Sequence, residues 1–272
     1  MAKEKNTTGE MSFLDHLEEL RWLLVRSSAG ILIGAVIAFT FSREIFDDVI
    51  FAPLKGDFVT YRIFCDAANK YDLDKSFCVT EIPVTIISRN MDGQFTTDIW
   101  TAIVAGIIIA FPYILYQIWK FISPALYEKE RKGAVSFITG TSLLFFLGVV
   151  FGYYLIMPLS INFLANYKIS DIVVNNVDLD SYLSLVKTTV LSCGLAFELP
   201  VIIYFLAKMG LVTAAFLRKY RRYALVIILI VAAVVTPPDV VSQMTVTIPL
   251  VILYEASILI AARTNKTPKT AE

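Results

Sequence analysis

The sequence has few charged side chains, a single histidine and three cysteines, and each shortage excludes a class of function. Charged residues make up 18% of the 272 residues, whereas about 25% is usual in soluble domains. They are bunched between long apolar runs, and hydrophobic residues reach 57%. This pattern excludes a soluble enzyme, a disordered chain and a basic nucleic-acid-binding protein.

Signatures of catalysis and of cofactor binding are also lacking. One histidine and three scattered cysteines cannot build a zinc, haem or iron–sulfur site. The sequence contains no Walker-type phosphate loop and no HExxH or GxSxG motif, so neither ATP hydrolysis nor a nucleophile–base pair is expected. We therefore predict that the protein is not an enzyme and has no catalytic residue, no metal and no cofactor.

Long apolar runs predict an all-α polytopic membrane protein. A bilayer core about 30 Å thick needs roughly 20 apolar residues in a helix. We predict six transmembrane helices in a single transmembrane domain that covers residues 1–272. Their spans are 22–41, 99–119, 134–157, 188–207, 223–236 and 240–262. Segments 42–98 and 158–182 are predicted to form outer caps of short helices.

The fifth and sixth spans are predicted to be short. The fifth run has 14 residues, which reach about 21 Å as a helix and fall short of the hydrocarbon thickness. Either the helix begins a few residues earlier, or the membrane is thinned around it. Both readings stay open at this point.

Lysine and arginine place both termini in the cytoplasm. With the N-terminus inside, 16 of the 24 basic side chains fall in cytoplasmic segments and 8 fall outside. Acidic side chains run the other way, with 14 outside and 8 inside. An even number of helices also requires both termini on one side, so the helix count and the charge bias agree.

Two of the three cysteines lie in the first outer segment. Cys65 and Cys78 are thirteen positions apart on the side that is oxidising if the cell has a periplasm. They form either a disulfide or two free thiols. Cys193, inside the fourth span, is expected to be a buried or lipid-facing thiol.

Four polar motifs stand out against the apolar background. They are His16–Arg21, Phe121–Arg131, Phe197–Pro200 and Thr236–Asp239. In this order and placement the chain resembles the TatC family, the receptor and core subunit of the twin-arginine protein translocase. The resemblance extends from about Ser12 to Arg263. The first outer segment, with the region from Cys65 to Cys78, is longer than is usual in that family.

The resemblance implies a function in protein export. A TatC-type protein recognises the twin-arginine signal peptides of folded precursor proteins at the cytoplasmic face. It also docks single-span TatA-type, and in some systems TatB-type, subunits for export driven by the proton-motive force. The implied location is the cell inner membrane, as a multi-pass protein in the lipid bilayer that forms multimers with itself.

The matching motif positions assign the arginine-reading role to Glu19 and Glu130, with Phe121 as a neighbouring contact. A guanidinium presents a rigid fork of donors that fits a carboxylate with two hydrogen bonds. Arg21 and Arg131 complete the predicted signal-peptide site, and Glu18 and Glu128 are adjacent candidates of second rank. In the alternative interpretation Glu19 and Glu130 only form surface ion pairs with Arg21 and Arg131, worth about 0–1 kcal/mol each.

Glu198 is the predicted intramembrane polar residue. It lies ten residues before Lys208, about 15 Å along a helix and near the membrane midplane. A charge there costs about 2.5–3.5 kcal/mol, so we expect it to face a partly hydrated groove rather than lipid. Pro200 favours a kink beside it. In one alternative, Glu198 is a protonated acid that is hydrogen-bonded to a neighbouring hydroxyl. In another, it is the proton carrier of an ion-coupled secondary transporter, although the sequence does not show the inverted repeats that are typical of such transporters.

The turn between spans five and six carries the third set of candidates. Thr236, Asp239 and Gln243 are predicted to dock the partner subunits, because polar side chains between membrane helices contribute roughly 0.6–2 kcal/mol each. In the alternative, Pro237 and Pro238 only form the turn and Asp239 caps the next helix.

Overall fold

The computed structural model describes residues 13–72, 78, 82–123, 134–170, 176–236 and 240–264, and most of them are helical. The α-helices are α1 (Phe13–Thr40), α2 (Ser42–Glu44), α3 (Val59–Lys70), α4 (Gly93–Ile122), α5 (Ala134–Phe151), α6 (Met157–Asn166), α7 (Leu179–Phe197), α8 (Leu199–Lys208), α9 (Ala214–Lys219), α10 (Arg221–Val235) and α11 (Val240–Thr264). A first π-helix (Ile45–Ile50), a second π-helix (Gly152–Ile156), a 3-10 helix (Ala52–Leu54) and the strands β1 (Thr85–Ile87) and β2 (Asn176–Asp178) are also present.

Within the described residues, five helical units are long and apolar enough to cross a membrane. They are His16–Thr40, Gly93–Ile122, Phe137–Asn166, Leu179–Lys208 and Val241–Arg263. Helix α10 has 15 residues and reaches about 22 Å, so it is the short fifth helix of the six that the sequence predicts. The expectation that the sixth helix is also short is wrong. Helix α11 has 25 residues, because the apolar sequence continues through Pro249 up to Arg263.

The third and fourth helical units extend further outward than the apolar runs. The third continues through the second π-helix and α6 to Asn166, and the fourth begins at Leu179. Polar residues in these stretches make them look like connectors in the sequence. Tyr182, Leu183 and Val186 are nevertheless buried, so the polar positions between them lie on one face of a packed helix.

Small residues allow the membrane helices to pack closely. A Cβ atom at Gly106 of α4 would lie 2.6 Å from the carbonyl oxygen of Ile31 in α1. A Cβ at Gly148 of α5 would lie 2.6 Å from the carbonyl oxygen of Cys193 in α7. Both gaps are too small for a side chain, so these helix pairs depend on glycine at the contact. Gly148 and Gly152, four residues apart in the predicted third span, favour such a close contact from the sequence alone, and Cys193 is a buried free thiol.

The two outer segments form one cap over the bundle. Strands β1 and β2 pair in parallel, with Thr85 opposite Asn176, Ile86 opposite Val177 and Ile87 opposite Asp178. Cys65 and Cys78 form a disulfide that fixes the chain after α3. The Tyr61 hydroxyl lies 3.1 Å from the carbonyl oxygens of both Pro53 and Pro158, and its burial raises the pKa of this phenol. The cap is therefore cross-linked between segments distant in sequence.

Candidate functional site

The first two polar motifs meet at one end of the bundle. The His16 ring, near the start of α1, stacks on the Phe121 ring at the end of α4, with ring centroids 4.4 Å apart and planes inclined by 26°. Helices α1 and α4 are antiparallel neighbours, so the start of one lies beside the end of the other. We call this end of the bundle, predicted to be cytoplasmic, the inner end.

Glu19 lies one turn beyond His16 on the same helix. Its Oε2 atom is buried and has no hydrogen-bond partner within the described part of the chain. Glu18 and Arg21, its neighbours in the motif, are exposed. No ion pair joins Glu19 to Arg21, although the structure describes both residues. The alternative of a surface pair between them is therefore not supported for Glu19.

The second half of the predicted site, Glu130 and Arg131 together with Glu128, lies outside the described residues. The helices on either side of it are described, and they converge at the inner end. The Trp119 ring of α4 stacks on the Phe137 ring of α5 with centroids 4.8 Å apart. The Phe205 ring of α8 meets Phe137 edge-on, also at 4.8 Å. The close approach of Glu19 and Glu130 stays a prediction.

Glu198 lies at a break in the fourth membrane helix. Helix α7 ends at Phe197, and α8 begins at Leu199 with Pro200 in its first turn. The break agrees with the kink expected from Pro200. The Glu198 residue is 7% exposed, and its Oε1 atom has no hydrogen-bond partner among the described residues. Its side chain therefore faces the protein interior rather than lipid.

Other unsatisfied polar atoms lie at a similar depth. The hydroxyls of Ser27 in α1 and of Thr141 and Ser142 in α5 are buried, without a partner in the described ranges. The ring pairs Phe111–Phe145 and Phe137–Phe205, together with the close approach of Gly30 in α1 to Tyr113 in α4, fix the register of antiparallel neighbours.

That register places Ser27, Thr141, Ser142 and Glu198 within about one helical turn of each other in depth. We call these four residues the polar layer. Buried polar atoms in proteins are usually satisfied by protein or by water. A layer of this kind fits the hydrated groove expected around Glu198, and sequence reasoning missed its three hydroxyls.

Two of the three candidate docking residues in the hairpin of α10 and α11 form hydrogen bonds within the hairpin itself. The Thr236 hydroxyl is buried and donates to the carbonyl oxygen of Ala232 at 2.9 Å. The Gln243 amide donates to the carbonyl oxygen of Leu229 at 3.3 Å and so joins the two helices. Asp239 lies outside the described residues. Docking at Thr236 would therefore rely on the acceptor lone pairs of its hydroxyl, whereas Gln243 retains its Oε1 acceptor and the second hydrogen of its Nε2 group.

One charged pair at the inner end was not anticipated. Arg221 at the start of α10 donates to the Glu255 carboxylate of α11 at 2.6 Å. The neighbouring Tyr254 hydroxyl donates to the carbonyl oxygen of Leu217 at 2.9 Å. The sequence does contain a signal for this pair: Glu255 is a carboxylate inside the sixth span, and Arg221 lies at the start of the fifth.

Comparison with known proteins gives a consistent result. The profile of the family described as Sec-independent protein translocase protein (TatC) matches residues 15–249. A TatC protein of Blattabacterium is 41% identical over 263 residues, covering 96% of this chain and 99% of that protein. A TatC protein of Helicobacter pylori is 38% identical over 257 residues, covering 94% and 91%.

Solved structures agree with the sequence relatives. A crystal structure of the twin-arginine translocase receptor TatC superimposes with a TM-score of 0.68 at 32% identity, covering 92% of this chain and 100% of that one. A second, in the detergent DDM, gives 0.71 at 33% identity, covering 90% and 99%. These names support a protein translocase component and give no support to an ion-coupled secondary transporter.

Proposed function

Because the chain belongs to the TatC family of Sec-independent protein translocase proteins, we propose that its inner end binds the twin-arginine signal peptides of folded precursors. The family is a receptor component of protein transport and not an enzyme family. The protein is accordingly a multi-pass membrane protein. The proposal concerns which residues bind the signal and which partners dock.

The Oε2 atom of Glu19, which is buried and has no hydrogen-bond partner among the described residues, is the observation that carries the proposal. A buried acceptor without a partner costs about 1–3 kcal/mol, more if it is charged. A guanidinium that binds there satisfies this atom with a charge-assisted hydrogen bond. The stacked His16 and Phe121 rings form an adjacent wall against which the stem of the arginine side chain would pack.

The second arginine of the signal is assigned to Glu130 by its motif position. Since two adjacent arginines are read together, Glu130 must approach Glu19 closely enough for one short peptide to reach both. The convergence of Trp119, Phe137 and Phe205 supports this arrangement, because it brings the helices that flank Glu130 to the inner end. Arg21 and Arg131 are proposed to border the same site.

Partner subunits are proposed to dock at the hairpin of α10 and α11. The short α10, about 22 Å long, thins the bilayer locally, and a single-span TatA- or TatB-type helix that is itself short would match this patch. Thr236, Asp239 and Gln243 are the proposed contacts, and Glu198 is proposed to line a groove that opens toward the inner end. The proposed location is the cell inner membrane, as a multimer with itself.

The test is a site-specific crosslink to a precursor protein. A photoreactive amino acid at position 19, or at position 130, should capture a precursor that carries two consecutive arginines. Changing both arginines to lysine should abolish the capture, because an ammonium cannot reproduce the two parallel hydrogen bonds. Position 44, which is exposed at the outer end of the bundle, is the matched control and should capture little. Equal capture at positions 44 and 19, or of the arginine and lysine precursors, would refute the assignment.

A further inference from the structure

An apolar groove of about 350 Å³ lies in the outer half of the bundle. It runs between the first π-helix, α4, the outer part of the third membrane helix, and α7. Its walls include Val104, Ile108, Val149, Val150 and Val190, and Lys187 is the single charged side chain among the described residues that line it. A groove of this composition suits a long apolar group with one anion at its end.

The register of the helices sets the depth of Lys187. Phe111 pairs with Phe145 between α4 and α5, and Gly148 lies against Cys193 between α5 and α7. Extending these antiparallel pairs outward puts Lys187 level with Thr101 of α4, close to the outer end of α1. Lys187 therefore lies at the outer boundary of the hydrocarbon layer, where phospholipid headgroups begin.

The apolar walls run inward from that cation. Ile108 is two turns deeper than Thr101 on α4, about 10 Å toward the midplane. Val150 is 53% exposed and Val49 is 45% exposed, so the groove is open along one side to the surroundings of the helices. In a membrane protein these surroundings are lipid. The groove thus has the polarity of a bilayer leaflet, with a charge at the boundary and hydrocarbon below it.

Both π-helices contribute to the outer end of the groove. Val49 lies in the first and Tyr153 and Tyr154 lie in the second. The Tyr153 hydroxyl donates to the carbonyl oxygen of Val49 at 2.7 Å, and the Thr60 hydroxyl donates to the carbonyl oxygen of Tyr154. Side chains thus hold the two wide turns together. Single π-turns occur often at functional sites, and here both of them border one groove.

Lys187 has no hydrogen bond or ion pair with any residue that the structure describes. The acidic side chain nearest to it along α7, Asp180, is about 10 Å further out along the helix axis. Lys187 is only partly exposed, so an anion that joins it would form a charge-assisted contact in a region of low dielectric constant.

We propose that this groove binds an anionic phospholipid, with the phosphate at Lys187 and one acyl chain along Val104, Ile108 and Val150. The positive charge of Lys187 favours a lipid with net negative charge, because the cationic headgroup of a zwitterionic lipid offsets the attraction of its phosphate, and burial of the chain supplies apolar contact. The lipid would fill the gap between the cap and the helices α4, α5 and α7. The proposal does not depend on the signal-peptide site.

Native mass spectrometry of the full-length protein in detergent tests the proposal. With phosphatidylglycerol and phosphatidylcholine in equal amounts, the phosphatidylglycerol adduct should dominate about tenfold, because only phosphatidylcholine brings a second cation close to Lys187. Lys187→Gln should abolish this preference. Lys168→Gln, which removes an exposed cation outside the groove, is the matched control and should retain it. Equal adducts of the two lipids on the unmodified protein would overturn the proposal.

A second variant separates the groove from the charge. Ala105→Phe, which fills the apolar wall but keeps Lys187, should lose the adduct while the melting temperature shows that the protein remains folded. A photoreactive acyl chain should label the residues around Val104–Ile108 and Val149–Val150. Labelling elsewhere, displacement by inorganic phosphate, or capture of an apolar signal peptide in place of the lipid would each refute the phospholipid assignment.

Discussion

The outer cap and the inner half of the bundle use their buried polar groups in opposite ways. In the cap, the buried hydroxyls of Tyr61 and Tyr182 each lie within hydrogen-bonding distance of a backbone carbonyl oxygen of a distant segment. In the inner half, Glu19 and the polar layer contain buried atoms without partners in the described ranges. The cap is therefore built for stability, whereas the inner half retains polar groups that are free to bind water or a ligand.

This difference matters for a receptor that must release what it binds. Closing every polar group within the protein maximises rigidity, but it leaves no acceptor for an incoming guanidinium. Leaving an acceptor unpaired costs stability, and the cross-linked outer cap offsets that cost at the other end of the same helices. Substitutions at the two ends should accordingly separate stability from binding.

The largest effect is expected at Glu198. Glu198→Lys should sharply reduce the amount of folded protein, because a cation buried at this depth costs about 2.5–3.5 kcal/mol. Glu198→Gln should be tolerated much better, since it keeps a hydrogen-bonding group of the same shape. Yield and melting temperature in detergent are the measurements. Equal loss with both variants would mean that Glu198 must carry its charge.

Removing the disulfide of the cap should come next. Replacing both Cys65 and Cys78 by serine should lower the free energy of unfolding by about 2–4 kcal/mol and leave precursor affinity unchanged. Mass shifts after alkylation, with and without reductant, check that the bridge is present in the unmodified protein. A loss of affinity without a loss of stability would show that the cap takes part in binding.

Glu19 should show the reverse pattern. Glu19→Gln should weaken precursor binding by about 10- to 150-fold, the factor that corresponds to losing a hydrogen bond to a charged group. The melting temperature should not fall, because the substitution replaces a carboxylate whose buried Oε2 atom has no partner among the described residues. Glu44→Gln, which removes an exposed carboxylate at the outer end, is the matched control and should bind normally. A large loss of stability in Glu19→Gln would reassign this residue to a structural role.

Short stretches of the sequence predict the structural features that depend on those stretches alone. The apolar runs locate the helical units, Pro200 locates the break beside Glu198, and Gly148 locates a close helix contact. Each of these follows from a property that a residue has wherever it lies: hydropathy, a missing backbone donor or a missing side chain.

Contacts between distant segments were beyond the reach of the sequence. Strands β1 and β2 have three residues each, too few for a period-two pattern, and they pair across 91 positions. The pairing of Arg221 with Glu255 and the stacking of His16 on Phe121 depend on how whole helices are arranged. For the candidate site, the motifs indicated Glu19, but only the fold shows that one of its carboxylate oxygens is buried without a partner among the described residues.

The smallest effect is expected from a single hydroxyl of the cap. The Tyr182 hydroxyl is buried and donates to the carbonyl oxygen of Ile50 at 2.6 Å. Tyr182→Phe should lower the free energy of unfolding by about 1–2 kcal/mol, because it leaves that carbonyl without its donor. Tyr154→Phe is the matched control: its ring is 43% exposed, and its hydroxyl makes no hydrogen bond with the described residues.

Denaturation in detergent measures the stability that the cap supplies, and precursor affinity measures binding at the inner half. Tyr182→Phe should change stability alone, since the hydroxyl lies at the outer end of α7, far from Glu19. If Tyr182→Phe instead weakened precursor binding at constant stability, the two ends of the bundle would be coupled. The separation between a stabilising cap and a binding inner half would then fail, because one hydrogen bond of the cap would control the affinity of the other end.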